Sequence, residues 1–255
     1  MILKIKFLSL LIILGLLSAC ETAQQTVGTG SNANDPVTAR AQAHTELGAA
    51  YLQQNKLEIA LDEFTQATKI APNYALAYNG LGLVQSVLGE DAAAEANFKK
   101  SIELQPGSSE SHNNYGSFLC ARKRYDESIT HFLAALKNPL YATPNLAYAN
   151  AGICSARKND TKNAEIYLNK ALQLEPLTYS AAYQLAEIQF NRGDAITAKK
   201  TLQNTLVASP SAETLWLGVR IERVLGDKDN EASYALQLRR QYPNSEQAQQ
   251  LLSGK

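Results

Sequence analysis

Leu47-Gly48-Ala49-Ala50-Tyr51 opens a pattern that continues through Ala60, Phe64, Ala67 and Pro72, and this pattern decides the fold. Moved forward by 34 residues it recurs as Leu81-Gly82, Ala94, Phe98 and Pro106. Moved again it meets Gly116, Ser128 and Phe132. Further along stand Gly152, Ala164, Leu168, Ala171 and Pro176, then Leu185-Ala186, Ala198, Leu202 and Pro210, then Trp216, Ala232 and Leu236. A fixed period in this range means stacked supersecondary units, each unable to bury its apolar face alone. Ala, Leu, Gln, Glu and Lys are frequent and β-branched runs are rare beyond the N-terminus, so the units are helical.

Each slot has a physical reading. Gly costs about 1 kcal/mol against Ala inside a helix, so Gly48, Gly82, Gly116 and Gly152 in register imply close helix approach. The Phe and Leu of the second helix fill the space between helices, and small residues at the Ala slot let them pack. Pro72, Pro106, Pro176 and Pro210 stop each second helix, because Pro lacks a donor and clashes with the preceding turn. Asn55, Gly89, Lys123, Asn159 and Gly193 fall in the turns between paired helices.

Leu-Gly-x-x-Tyr followed by Ala, Phe, Ala and Pro at this spacing resembles the tetratricopeptide repeat, a helix-turn-helix unit. The resemblance implies an all-α, right-handed α-solenoid of six repeats. They are expected over 41–74, 75–108, 109–144, 145–178, 179–212 and 213–246, with a short tail at 247–255. The third carries two extra residues around Asn138–Pro144.

The N-terminus reads as an export signal over 1–19. Lys4 and Lys6 precede an apolar run, Phe7 to Leu17, too short for a comfortable membrane span. Leu17-Ser18-Ala19-Cys20 resembles a bacterial lipobox, which implies a mature N-terminus acylated at Cys20. Several acyl chains, each methylene contributing about 0.8 kcal/mol in lipid, would anchor the protein firmly. Glu21 rather than Asp after the Cys implies sorting to the outer membrane, with the repeats facing the periplasm. Residues 20–40 are expected to be a polar tether, since the stretch to Asp35 has no apolar periodicity; such a chain spans roughly 20 Å.

The composition excludes several classes of function. Lys plus Arg and Asp plus Glu both number 24, so there is no basic footprint for nucleic acid. No phosphate loop, nucleophile elbow, His-Glu-x-x-His or Cys-x-x-Cys occurs, so neither catalytic residues nor cofactor or metal ligands are expected. His44 and His112 share a packing slot with Tyr78 and Tyr148, and His131 is expected in solvent. The chain is expected to bind proteins, not to be an enzyme, and to be monomeric.

Cys120 and Cys154 fall late on the first helices of consecutive repeats. Adjacent first helices stack side by side, so their Cα atoms can approach the roughly 4.4–6.8 Å of a disulfide. An oxidising compartment favours the bond; two buried thiols acting as small hydrophobes are the alternative.

The repeat also predicts a binding face. First helices line it, and the positions turned inward include Leu52, Leu76, Asn79, Leu83, Val87, Asn113, Leu146, Ile153 and Arg157. Asn79 and Asn113 share one slot, where an amide offers a peptide backbone both a donor and an acceptor. This arrangement resembles that of peptide-binding members of the repeat family.

Six repeats behind a lipobox in a chain of this length, with the run His112-Asn113-Asn114-Tyr115-Gly116-Ser117-Phe118-Leu119-Cys120, resemble the type IV pilus biogenesis and stability lipoproteins of the PilW/PilF family. The resemblance implies a pilotin: a lipoprotein that binds a secretin subunit, carries it to the outer membrane and supports its multimerisation. The alternative is a general scaffold lipoprotein of another cell-envelope assembly.

Overall fold

The computed structural model describes residues 35–254, and the expected signal peptide, Cys20 and residues 21–34 lie outside them. The described residues form thirteen α-helices and no strand. Six antiparallel pairs follow in order: α1 Pro36–Gln53 with α2 Leu57–Ile70, α3 Ala75–Leu88 with α4 Asp91–Leu104, and α5 Ser109–Ala121 with α6 Tyr125–Ala135. Then come α7 Pro144–Arg157 with α8 Thr161–Leu174, α9 Tyr179–Asn191 with α10 Ala195–Ala208, and α11 Ala212–Leu225 with α12 Lys228–Gln241. The final helix α13, Glu246–Leu252, packs on α11 and α12. Contacts run within pairs and between neighbouring pairs, as in a solenoid. No described helix is long and apolar enough to cross a membrane.

Residues 36–40, expected to belong to the tether, are helical. Asp35 accepts a hydrogen bond from the Thr38 amide at 3.2 Å and Pro36 occupies the first turn, so α1 begins at Pro36. A capping carboxylate followed by Pro is a strong helix start.

The turn inside each pair contains one residue at positive φ: Asn55, Gly89, Lys123, Asn159, Gly193 and Gly226. These stations are spaced by 34, 34, 36, 34 and 33 residues. The step of 36 is the expected insertion at Asn138–Pro144. The step of 33 is a correction to the even ruler. The loop Ser209-Pro210-Ser211 is one residue shorter than Glu175–Thr178. Ser211 and Thr214 form a reciprocal capping box that starts α11 at Ala212. Ala232 and Leu236, read as packing residues, therefore turn outward, with Leu236 46% exposed. Ala235 is buried where Leu236 was expected, Leu238 is buried in the slot that Thr205 holds one repeat earlier, and Trp216 packs half-buried on the core as Tyr78 and Tyr148 do.

The core is a ladder of second-helix residues. Phe64, Phe98, Phe132, Leu168 and Leu202 are all 2% exposed or less, each burial contributing about 1.5–3 kcal/mol. The glycine slots answer to these rings. A Cβ on Gly82 would lie 2.7 Å from the Phe98 ring, and one on Gly116 would lie 2.8 Å from Phe132. The close approach is thus between the two helices of one pair, where a larger side chain would force them apart.

The antiparallel pairing gives the solenoid two unlike edges. The turns within pairs lie along one edge, where ion pairs link successive repeats: Arg124 to Glu95 at 2.8 Å, Lys158 to Asp126, and Arg192 to Glu165 at 2.6 Å. The loops between pairs lie along the other edge, with the N-termini of all the first helices, that of α1 included.

Candidate partner-binding groove

The first helices α1, α3 and α5 enclose an open cavity of about 370 Å³. Leu52, Leu76, Asn79 and Leu83 line it, with Thr45, Ala49 and Gln53 from α1 and Glu110 and Asn114 from α5. Gly80 and the Phe64 ring form its floor, and a Cβ on Gly80 would overlap that ring. Aliphatic walls with a few convergent polar groups suit a side-chain-bearing segment.

The amides behave differently from the expectation of free donor-acceptor pairs. Asn79 is only 3% exposed, and its Oδ1 accepts from Asn114 Nδ2 at 3.2 Å. Asn113 Oδ1 accepts from Asn150 Nδ2 at 3.0 Å. Each bond runs from one repeat to the preceding one, so the amides form a ladder that fixes the rotation between repeats two, three and four. With Asn79 nearly sealed, the polar contacts open to a ligand shift to Asn114, Gln53 and Glu110. Sequence reasoning missed Asn114 and Asn150, although both occupy the sixth position of their repeats and that recurrence was the available signal.

The remaining expected residues lie elsewhere. Val87, 59% exposed, stands at the end of α3, and Leu146, 45% exposed, at the start of α7. Ile153 packs half-buried against the core between α7 and α9, and Arg157 is exposed at the end of α7. None of these four lines the cavity. The groove therefore belongs to the first three repeats.

Cys120 on α5 and Cys154 on α7 bring their sulfurs into contact, with Cα atoms 5.9 Å apart, inside the span that a disulfide bridges. Both are buried beside Phe132 and Ala151. At the other end of α5, His112 and His131 meet through Nδ1 atoms 2.9 Å apart. His112 Nε2 donates to the Pro106 carbonyl at 3.0 Å, just as the Tyr78 hydroxyl donates to the Pro72 carbonyl one repeat earlier. His131 is not solvated as expected: it is half-buried and meets Tyr115 edge-on. Burial, reinforced by the neighbouring His112, pushes its pKa down to about 4. Among the described residues no group of three or more His, Cys, Asp or Glu is placed to hold a metal ion.

Helix pairs at this period, stacked with a groove along the first helices, define a tetratricopeptide-repeat protein. Models described as TPR repeat and tetratricopeptide repeat match residues 48–89, 75–108, 97–130 and 147–176. The type IV pilus assembly protein PilF of Pseudomonas aeruginosa is 30% identical over 214 residues, 84% of this chain and 85% of that protein. The chain belongs to the PilF/PilW family of type IV pilus biogenesis factors. A solved structure of Pseudomonas aeruginosa PilF superposes with a TM-score of 0.77 at 29% identity, covering 87% of this chain and all of that one. The structure of PilW, described as a widely conserved type IV pilus biogenesis factor, gives 0.74 at 31% identity over 83% of this chain and 98% of that one.

Proposed function

We propose that this protein is a pilotin of type IV pilus biogenesis. It is anchored in the outer membrane through acylated Cys20, faces the periplasm, and holds a segment of a secretin subunit in the α1–α3–α5 groove. The observation that carries the reading is the relationship to PilF along most of both chains. The groove supplies a means: Leu52, Leu76 and Leu83 receive apolar side chains while Asn114 and Gln53 bond the backbone between them. The protein acts by binding, and the anchor supplies the membrane partitioning. In an oxidising periplasm Cys120 and Cys154 form a disulfide that locks repeats three and four together.

Deleting the gene tests the role: heat-resistant secretin multimers on a blot should be lost, whereas normal multimers with normal surface pili would defeat it. Leu76→Glu tests the groove. A carboxylate among apolar walls should weaken secretin capture at least about tenfold, the effect of burying an unpaired charge, with the melting temperature held. Cys20→Ser should move the protein from the membrane to the soluble fraction.

A further inference from the structure

We infer that the edge of the solenoid carrying the loops between repeats is a lipid-facing surface, lying against the bilayer that the acylated N-terminus enters. The inference rests on the anchored-lipoprotein reading and adds an orientation to it. Three observations carry it.

The first is charge. The six loops between helix pairs, including the one before α13, contain two charged residues, Lys137 and Glu175. The six turns within pairs are shorter in total yet contain ten, among them Arg122, Lys123, Arg124, Lys158 and Asp160. Moving charge out of water is costly, so the loop edge enters the lipid interface at lower cost than the turn edge.

The second is what stands there instead. Leu140 is 88% exposed at the apex of the α6–α7 loop, and Leu177 is 52% exposed in the α8–α9 loop. Val207, near the end of α10, is 81% exposed. Pro and Tyr74, Tyr141 and Tyr242 fill much of the rest, and Tyr favours the membrane-water interface. Exposed aliphatics such as Val87, Ile196 and Val224 occur at the turn edge too, but there they stand among the ten charges. Charges near the loops, such as Lys69, Glu103, Glu110 and Arg240, sit in the flanking helical turns, where long side chains can reach back to water.

The third is where the chain enters. Asp35 and Pro36 lie at the N-terminus of α1, on the loop edge. Fourteen residues stand between Cys20 and Asp35 in the sequence. A helix of fourteen residues is itself about 21 Å long. An anchor at Cys20 therefore joins the folded repeats at the loop edge, a helix length from the turn edge.

The test uses the acylated full-length mature chain on vesicles of phosphatidylethanolamine and phosphatidylglycerol containing dibrominated lipid. Trp is introduced at Leu140→Trp or Leu177→Trp on the loop edge, or at Glu90→Trp, exposed on the turn edge. Trp216 is common to all three variants. Loss of emission from positions 140 and 177, with emission from position 90 unchanged, is the expected result. Equal quenching at the two edges of vesicle-bound protein, or none at positions 140 and 177, overturns the orientation while leaving the anchor intact. If Cys20→Ser protein sediments with vesicles as fully as the acylated chain, the anchor reading falls and the orientation falls with it.

Discussion

Lys123 holds a backbone conformation that its side chain opposes. Its φ of 62° lies in the left-handed region, at a station where Gly89, Gly193 and Gly226 stand in other repeats. A residue with a Cβ is disfavoured there by about 1–2 kcal/mol, partly offset by the larger chain entropy that Gly brings to the unfolded state. Lys123 is exposed and makes no ion pair among the described residues. Lys123→Gly should therefore raise stability by about 0.5–1 kcal/mol, read as a melting temperature a few degrees higher. His131 acts through pH. Its folded pKa, near 4, lies below the ordinary value of 6.5, so between these values the unfolded chain binds more protons than the folded one. Stability should fall as pH drops from about 6.5 toward 4 and should be indifferent to this group above that window. The groups facing the ring are His112 and Tyr115 from α5, with Glu127 and Arg124 near its own helix. His131→Phe should flatten that part of a melting-temperature profile; an unchanged slope would assign the pH dependence to other groups.

Elements were legible wherever chemistry kept time with the period. The Phe and Leu of the second helices recur because each must fill the same gap, and the close helix approach at Gly82 and Gly116 was readable from the cost of Gly there. The longer loop was legible because Pro139 and Pro144 break the pattern openly. The shorter loop was not: Pro210 stays on the 34-residue grid, and the missing residue falls after it, where a capping box restarts the helix early. The groove was half-legible for a related reason. Leu52, Leu76 and Leu83 follow from helix position alone, whereas the bond from Asn114 to Asn79 depends on how one repeat rotates against the next. The longer loop enters between α6 and α7, at the junction that Cys120 and Cys154 span. A cross-link closing a loop of this length stabilises by roughly 3–4 kcal/mol in the chain-entropy model. Thiol titration of the denatured, unreduced chain should find neither sulfur free. Cys120→Ala with Cys154→Ala should lower stability by about that amount while keeping the helical circular dichroism.

At the scale of the whole molecule, stability is local, because each repeat touches only its neighbours and the ends must be covered. α13 supplies the cover at the C-terminal end. Ser245 caps it by accepting from the Ala248 amide at 3.1 Å, Ala248 is 1% exposed, and Leu251 packs on the cluster built by Leu217, Ile221 and Leu238. The Tyr242 hydroxyl pins the preceding loop by donating to the Pro210 carbonyl at 2.7 Å. Ending the chain after Asn244 removes the cap and uncovers that apolar face of α11. Burying one Ala and part of one Leu corresponds to about 2 kcal/mol. In a quasi-one-dimensional array this loss should appear as fraying of α11 and α12, not as collapse of the solenoid. Hydrogen exchange of the truncated chain should therefore accelerate in 212–241 and stay unchanged in 36–121, where the groove lies. Secretin capture should survive the truncation. Loss of capture together with faster exchange along the whole chain would show that the repeats fold as one cooperative block, and that the groove depends on a cap three repeats away.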